Sequence, residues 1–227
     1  MLKIIQTRFK QGCRTLAFPK GKRPALPARY RGRPIIAGQG EALDLGSITF
    51  APDTAIEYSQ DFQMAVSLRK DLVLKGSELT LACVLNHEML KIFGRSLKLR
   101  QVSAGGCNAC ELDLNVLNTP VFDLSRFGIQ FVASPRHADG IVVTGPISRN
   151  MTEALLKTYE AVASPKIVIA LGSCAISGGI FANTPEATNG LETLIPVDLF
   201  IPGCPPHPLT TLDGLLRLLG RIKKNSL

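Results

Sequence analysis

The stretch Leu97-Lys98-Leu99-Arg100-Gln101-Val102-Ser103-Ala104-Gly105-Gly106-Cys107-Asn108-Ala109-Cys110-Glu111 runs from an apolar segment through a glycine pair into two closely spaced thiols. Residues 97–102 read as a buried strand, and residues 111–117 open a helix behind the thiol loop. The same grammar repeats downstream. Strands are expected at 129–133, 141–144, 167–171 and 197–201, with helices at 152–163 and 208–223. Apolar strands separated by helices imply a parallel sheet covered on both faces. In open sheets of this kind ligands bind outside the carboxyl ends of the strands, where the strand order reverses. Cys174 follows Leu171-Gly172-Ser173, and Cys204 sits in Ile201-Pro202-Gly203-Cys204-Pro205-Pro206. Each thiol therefore emerges at a strand end, and four thiols meeting at one edge make a metal site.

A chain of 227 residues with 45% hydrophobic content can bury a real core without disulfides. Its six cysteines are too few and too unevenly spaced for a disulfide scaffold. A C-x2-C pair in a chain lacking an export signal reads as ligation or redox chemistry in a reducing compartment. The start, Met1-Leu2-Lys3-Ile4-Ile5, has neither the apolar region nor the cleavage site of a signal peptide, so the cytoplasm is expected. The longest apolar stretch, 166–182, is interrupted by Gly172, Ser173, Ser177, Gly178 and Gly179, which excludes a membrane span there.

The net charge of +8 suggests nucleic acid until it is located. Ten basic residues, from Lys3 to Arg33, precede the first acid, Glu41, which leaves sixteen basic against eighteen acidic groups in the remainder. No interleaving of aromatic and basic residues and no nucleic-acid motif accompanies them, so a nucleic-acid partner is not expected. Residues 1–18 place Leu2, Ile4, Ile5, Phe9, Leu16 and Phe18 among cations, a pattern suited to an anionic membrane surface, an acidic partner or a solvated arm. Residues 19–34, with Pro19, Pro24, Pro27 and Pro34, should form an extended strap. In 35–75 short strands are expected at 47–50 and 63–68. A helix is expected over 76–93, with Cys83 on its apolar face as a core thiol, and Cys13 is given the same reading.

The ligand chemistry follows from the donors. Four thiols with no plausible histidine ligand in the same loops suit soft metals, either a 4Fe-4S cluster or structural zinc. Zinc ribbons normally join two close C-x2-C pairs, whereas here the order is C-x2-C-x63-C-x29-C and needs a whole sheet to assemble it. A cubane cluster tolerates that spread. Thioredoxin-like chemistry would leave Cys174 and Cys204 unexplained.

Four ordered motifs carry a family resemblance. They are residues 105–111, 134–139 (Ser-Pro-Arg-His-Ala-Asp), 171–181 and 195–206. Over residues 94 to about 220 the chain resembles the small-subunit family shared by respiratory complex I, as its 20-kDa or B subunit, and membrane-bound group 4 nickel–iron hydrogenases, including formate hydrogenlyase. The resemblance implies an α/β, flavodoxin-like domain with helices on both faces of a parallel sheet, holding one 4Fe-4S cluster through Cys107, Cys110, Cys174 and Cys204. Complex I members usually carry adjacent cysteines in the first motif, so the C-x2-C form resembles the hydrogenase branch.

The front is similar, more faintly, to a ferredoxin-type subunit of the same complexes. Tyr30-Arg31-Gly32-Arg33-Pro34 and Tyr58-Ser59-Gln60-Asp61-Phe62 carry that likeness, yet 35–75 contain no cysteine and can build no cluster. The expected organisation is an irregular basic arm over 1–34, a degenerate ferredoxin-like module with its linking helix over 35–93, and the cluster-binding domain over 94–227. The resemblance implies an electron-transfer subunit, not catalytic alone, that exchanges electrons with a hydrogenase or complex I-type large subunit. Ferredoxin-type and membrane subunits would be further partners, with peripheral contact on the inner face of the cell membrane. The alternatives are a quinone-reducing complex I-type subunit and a non-catalytic scaffold with a structural cluster. Near the cluster, Glu111 and Asp113 read as proton relays or hydrogen-bonding groups, or for Glu111 as a helix-capping anion. Arg136 and His137 read as interface or surface residues.

Overall fold

The computed structural model describes residues 2–21, 24–35, 43–47, 56–74 and 79–222. Its centre is a five-stranded, wholly parallel sheet of β5 (Leu97–Ser103), β6 (Ile129–Phe131), β7 (Gly140–Thr144), β8 (Ile167–Leu171) and β9 (Leu199–Ile201). The strand order is β6-β5-β7-β8-β9. Counting from β5 as the first strand, this is the 2-1-3-4-5 order of flavodoxin-like folds, with the reversal between β5 and β7.

Every residue of β7 and β8 is buried, as expected of parallel strands sandwiched between helices. Side chains then sort by parity. Ile167, Ile169 and Leu171 join one core with Leu114 and Leu117, at the end of α3 (Ala109–Val116), and with α6 (Pro208–Leu218). Val168 and Ala170 join the other with Leu155 of α4 (Arg149–Ala161) and with Ala175 and Ile176 of α5 (Ser173–Ser177).

The front of the chain wraps this sandwich. Phe18, Phe62, Ala65 and Ala82 enter the first core, whereas Leu45, Val66, Leu72 and Leu74 enter the second. Between the two, Val66 pairs antiparallel with Phe200, so the outer edge of β9 is covered. The strap also explains why α6 is buried along its whole length. The ring of Tyr30 stands edge-on to His207 at 5.2 Å, and the Leu85 N–H donates to Leu218 O. Gly214 is needed where α6 meets Ala65, because a Cβ there would come within 2.6 Å of the Ala65 methyl. Two short ladders, β1 (Pro34–Ile35) with β3 (Glu57–Tyr58) and β2 (Leu43–Asp44) with β4 (Val73–Leu74), hold the wrapping segments together.

Three expectations need correction. The helix over 76–93 is confined, among the described residues, to α2 (His87–Phe93). Asn86 begins it by accepting the Met89 N–H, while Ala82 and Leu85 donate instead to Ala65 and Leu218 of other segments. Cys83 therefore lies outside any helix and is exposed, not a core thiol, and Cys13 is exposed too. Residues 63–68 form no strand beyond the single Val66 bridge; of 47–50, residues 48–50 lie outside the described residues.

Candidate metal centre

The four singled-out thiols occupy three loops at the carboxyl edge of the sheet. Cys107 and Cys110 follow β5, Cys174 lies in the first turn of α5 behind β8, and Cys204 follows β9. Backbone geometry, set largely by glycine, brings the loops together. Gly105 at φ +88° and Asn108 at φ 73° turn the chain out of β5 and into α3. The turn is pinned at the strand-order reversal, where Ala104 N–H donates to Thr144 O and Ser148 N–H donates to Ala104 O. Gly172 N–H donates to Ile201 O and Ser173 N–H to Gly203 O, tying the Cys174 loop to the Cys204 loop.

Two glycines make room for sulfur. A Cβ on Gly172 would lie 2.7 Å from Cys110 Sγ, and one on Gly179 would lie 2.8 Å from Cys174 Sγ. Both glycines adopt positive φ, so a side chain would be strained as well as obstructed. Cys110 Sγ is thus seated in the loop that carries Cys174, beside the one that carries Cys204.

The electrostatics record the same convergence. Burial, then the charges of Glu111, Cys204, Cys174 and Cys107, pushes the Cys110 thiol far above the ordinary thiol range. Burial, then Cys204 and Cys107, pushes Cys174 up to about 11. Burial and Cys107 raise Cys204. Thiols so placed resist ionisation until a cation compensates them, and a bound metal deprotonates a coordinating thiol outright. Among the described residues no group of three or more Cys, His, Asp or Glu side chains is gathered closely enough to hold a metal ion. The donors are all sulfur, and Cys110 and Cys174 are seated against glycines; the chemistry of that set fits an iron–sulfur cluster.

Glu111 lies in the first turn of α3 and is turned inward. It is 5% exposed, and its Oε1 accepts hydrogen bonds from Ser103 Oγ and Thr144 Oγ1, each at 2.6 Å. The carboxylate therefore ties β5 to β7 directly beneath the thiol loop. Ser103 and Thr144 were not foreseen, since their meeting depends on strand pairing between residues far apart in sequence. Asp113 is half-buried, and burial raises its carboxyl above the usual range. Arg136 and His137 lie exposed in a 3-10 turn, Pro135–His137. His207 serves structure, its Nδ1 accepting the Leu209 N–H at the start of α6.

Residues 107–218 match the family described as NADH ubiquinone oxidoreductase, 20 Kd subunit. The probable membrane-bound hydrogenase subunit mbhJ of Pyrococcus furiosus is 41% identical over 137 residues, which are 60% of this chain and 82% of that protein. Formate hydrogenlyase subunit 7 of Escherichia coli is 42% identical over 136 residues, 60% of this chain but only 53% of that longer protein. Among solved structures, a chain of the archaeal membrane-bound sulfane sulfur reductase aligns with a TM-score of 0.52 and 34% identity, covering 61% of this chain and 76% of that one. No helix of the described residues is long and apolar enough to cross a membrane.

Proposed function

The chain belongs to the 20 Kd subunit family of NADH ubiquinone oxidoreductase and the nickel–iron hydrogenases, and from that premise we propose that it carries a single 4Fe-4S cluster that relays electrons to or from a catalytic large subunit. As a family member it is a redox subunit of an oxidoreductase complex. The cluster, its ligands and its partners are our reading. Cys107, Cys110, Cys174 and Cys204 would hold the iron. When bound, such a cluster supplies one-electron transfer at a potential set by its charge, hydrogen bonds and exposure.

The observation that carries this reading is the seating of Cys110 Sγ against Gly172, which joins two thiol loops separated by more than sixty residues. Around it the chain's own residues have separate tasks. Glu111, held by Ser103 and Thr144, fixes the turn that presents Cys107 and Cys110. Cys107 and Cys204 are exposed, as are Leu112, Ile180 and Phe181 of the same loops and helices. That apolar rim is the surface we assign to the large subunit, because electron exchange needs the cluster close to the partner. A hydrogenase-type large subunit is favoured by the C-x2-C spacing, and a quinone-linked one is the second reading. Ferredoxin-type and membrane subunits would complete a complex lying on the inner face of the cell membrane.

Anaerobic reconstitution with iron and sulfide tests the cofactor. About four irons and four sulfides per chain are expected, with an electron paramagnetic resonance signal on reduction. Stoichiometric zinc without iron uptake would overturn it.

A further inference from the structure

Helix α1 (Leu2–Gln11) is turned the wrong way for a helix of a globular protein. None of its residues is buried, and Leu2, Ile5 and Phe9 stand 73%, 51% and 86% exposed. Spaced three and four positions apart, these three form one apolar stripe. The other side of the helix, carrying Lys3, Ile4, Thr7, Arg8 and Gln11, borders a shallow open groove against the chain's own Pro120, in which Ile4 is itself 75% exposed. At 3.6 residues per turn the middle of the stripe lies roughly 160° around the helix from the middle of that side. The stripe therefore points away from the body of the protein. Where the helix leaves the domain is fixed, since Thr15 Oγ1 donates to Pro120 O and Leu16 N–H donates to Val121 O, both at 2.8 Å.

The charge around the stripe has one sign. Lys3, Arg8, Lys10 and Arg14 flank it, and no acid occurs before Glu41. We propose that α1 is an interfacial anchor that lies directly on an anionic lipid surface. Leu2, Ile5 and Phe9 enter the boundary of the acyl chains while Lys10 and, from the edges shared with the groove, Lys3 and Arg8 reach to the headgroups. A narrow apolar stripe bordered by cations complements a plane that is apolar below and anionic above. Such an anchor is separate from electron relay and independent of the cluster.

The test is co-sedimentation of the full chain with vesicles of phosphatidylcholine, alone or mixed with phosphatidylglycerol. Binding to the mixed vesicles should exceed binding to the neutral ones at least about tenfold and weaken as salt is raised. Replacing Leu2→Ser, Ile5→Ser and Phe9→Ser together should abolish that preference without moving the thermal midpoint, because α1 buries nothing. Ile4→Ser, on the groove side, should bind as the unaltered chain does. Equal binding to both vesicle types, or undiminished binding by the triple variant, would overturn the anchor. So would capture by polyglutamate with no vesicle binding, which would assign the helix to an acidic protein instead.

Discussion

At Gly172 one hydrogen in place of a methyl decides whether two thiol loops can meet. Gly172→Ala puts a Cβ 2.7 Å from Cys110 Sγ at a φ of +89°, so the sulfur must move. Iron bound after reconstitution should fall well below that of the unaltered chain. Gly12→Ala is the control: its φ is also positive, at +66°, but its Cβ would meet nothing within 4 Å. That change should cost about 1–2 kcal/mol of backbone strain and leave iron content unchanged. A second residue-scale prediction concerns Asp44. Burial opposes its ionisation, but hydrogen bonds from Arg69 and Ser47 outweigh this and hold its carboxyl below the usual range. A depressed carboxylate stabilises the fold above its unfolded pKa, about 3.9, and loses that contribution as pH falls through the folded value. Asp44→Asn should therefore lower stability at pH 7 by about 1–3 kcal/mol. The gap between variant and unaltered chain should close in urea titrations carried below pH 4. At this scale the position of the thiols and loop glycines at strand ends was legible from sequence because each sits in a local strand-end motif. The hydroxyls of Ser103 and Thr144 around Glu111 were not, since only the pairing of β5 with β7 brings them together.

Helix α6 shows how an element is governed by what covers it. It carries an Asp213–Arg217 pair at 2.7 Å, with side chains 0% and 3% exposed. Buried pairs of this kind gain little over apolar substitutes, yet losing one member strands the other charge. Arg217→Met alone should cost about 3–5 kcal/mol, whereas Asp213→Leu with Arg217→Met should recover most of that loss, as read from urea midpoints. Element type in the sheet domain was legible because apolar runs alternate with amphipathic ones over long windows. The segment before α2 misled because its apolar spacing also suits an extended chain whose backbone bonds to Ala65 and Leu218. Helical periodicity carries no information about those distant acceptors.

For the molecule as a whole, the parallel sheet and the edge at which the thiols emerge followed from sequence, while the order of its strands and the packing of the described residues before α2 did not. Proline and glycine announced a strap over 19–34, which packs Leu26 and Tyr30 against one core, but could not say that Phe18 before it and residues 45 and 62–74 after it would enter both cores. Phe18 packs edge-on against Phe62 at 5.7 Å and is 5% exposed, far upstream of the sheet it stabilises. Phe18→Ala should cost about 3–5 kcal/mol and lower a single unfolding transition, measured by circular dichroism. A separate early transition that leaves the main one unmoved would instead detach the strap from the core. The central claim is that four thiols from three loops hold one cluster. Its most direct measurement is the iron and sulfide content of each single Cys→Ser variant after anaerobic reconstitution. Replacement of Cys107, Cys110, Cys174 or Cys204 should abolish or cripple cluster assembly, while Cys13→Ser and Cys83→Ser should load fully. A full complement of iron in Cys174→Ser, or loss of the cluster in Cys83→Ser, would contradict the account.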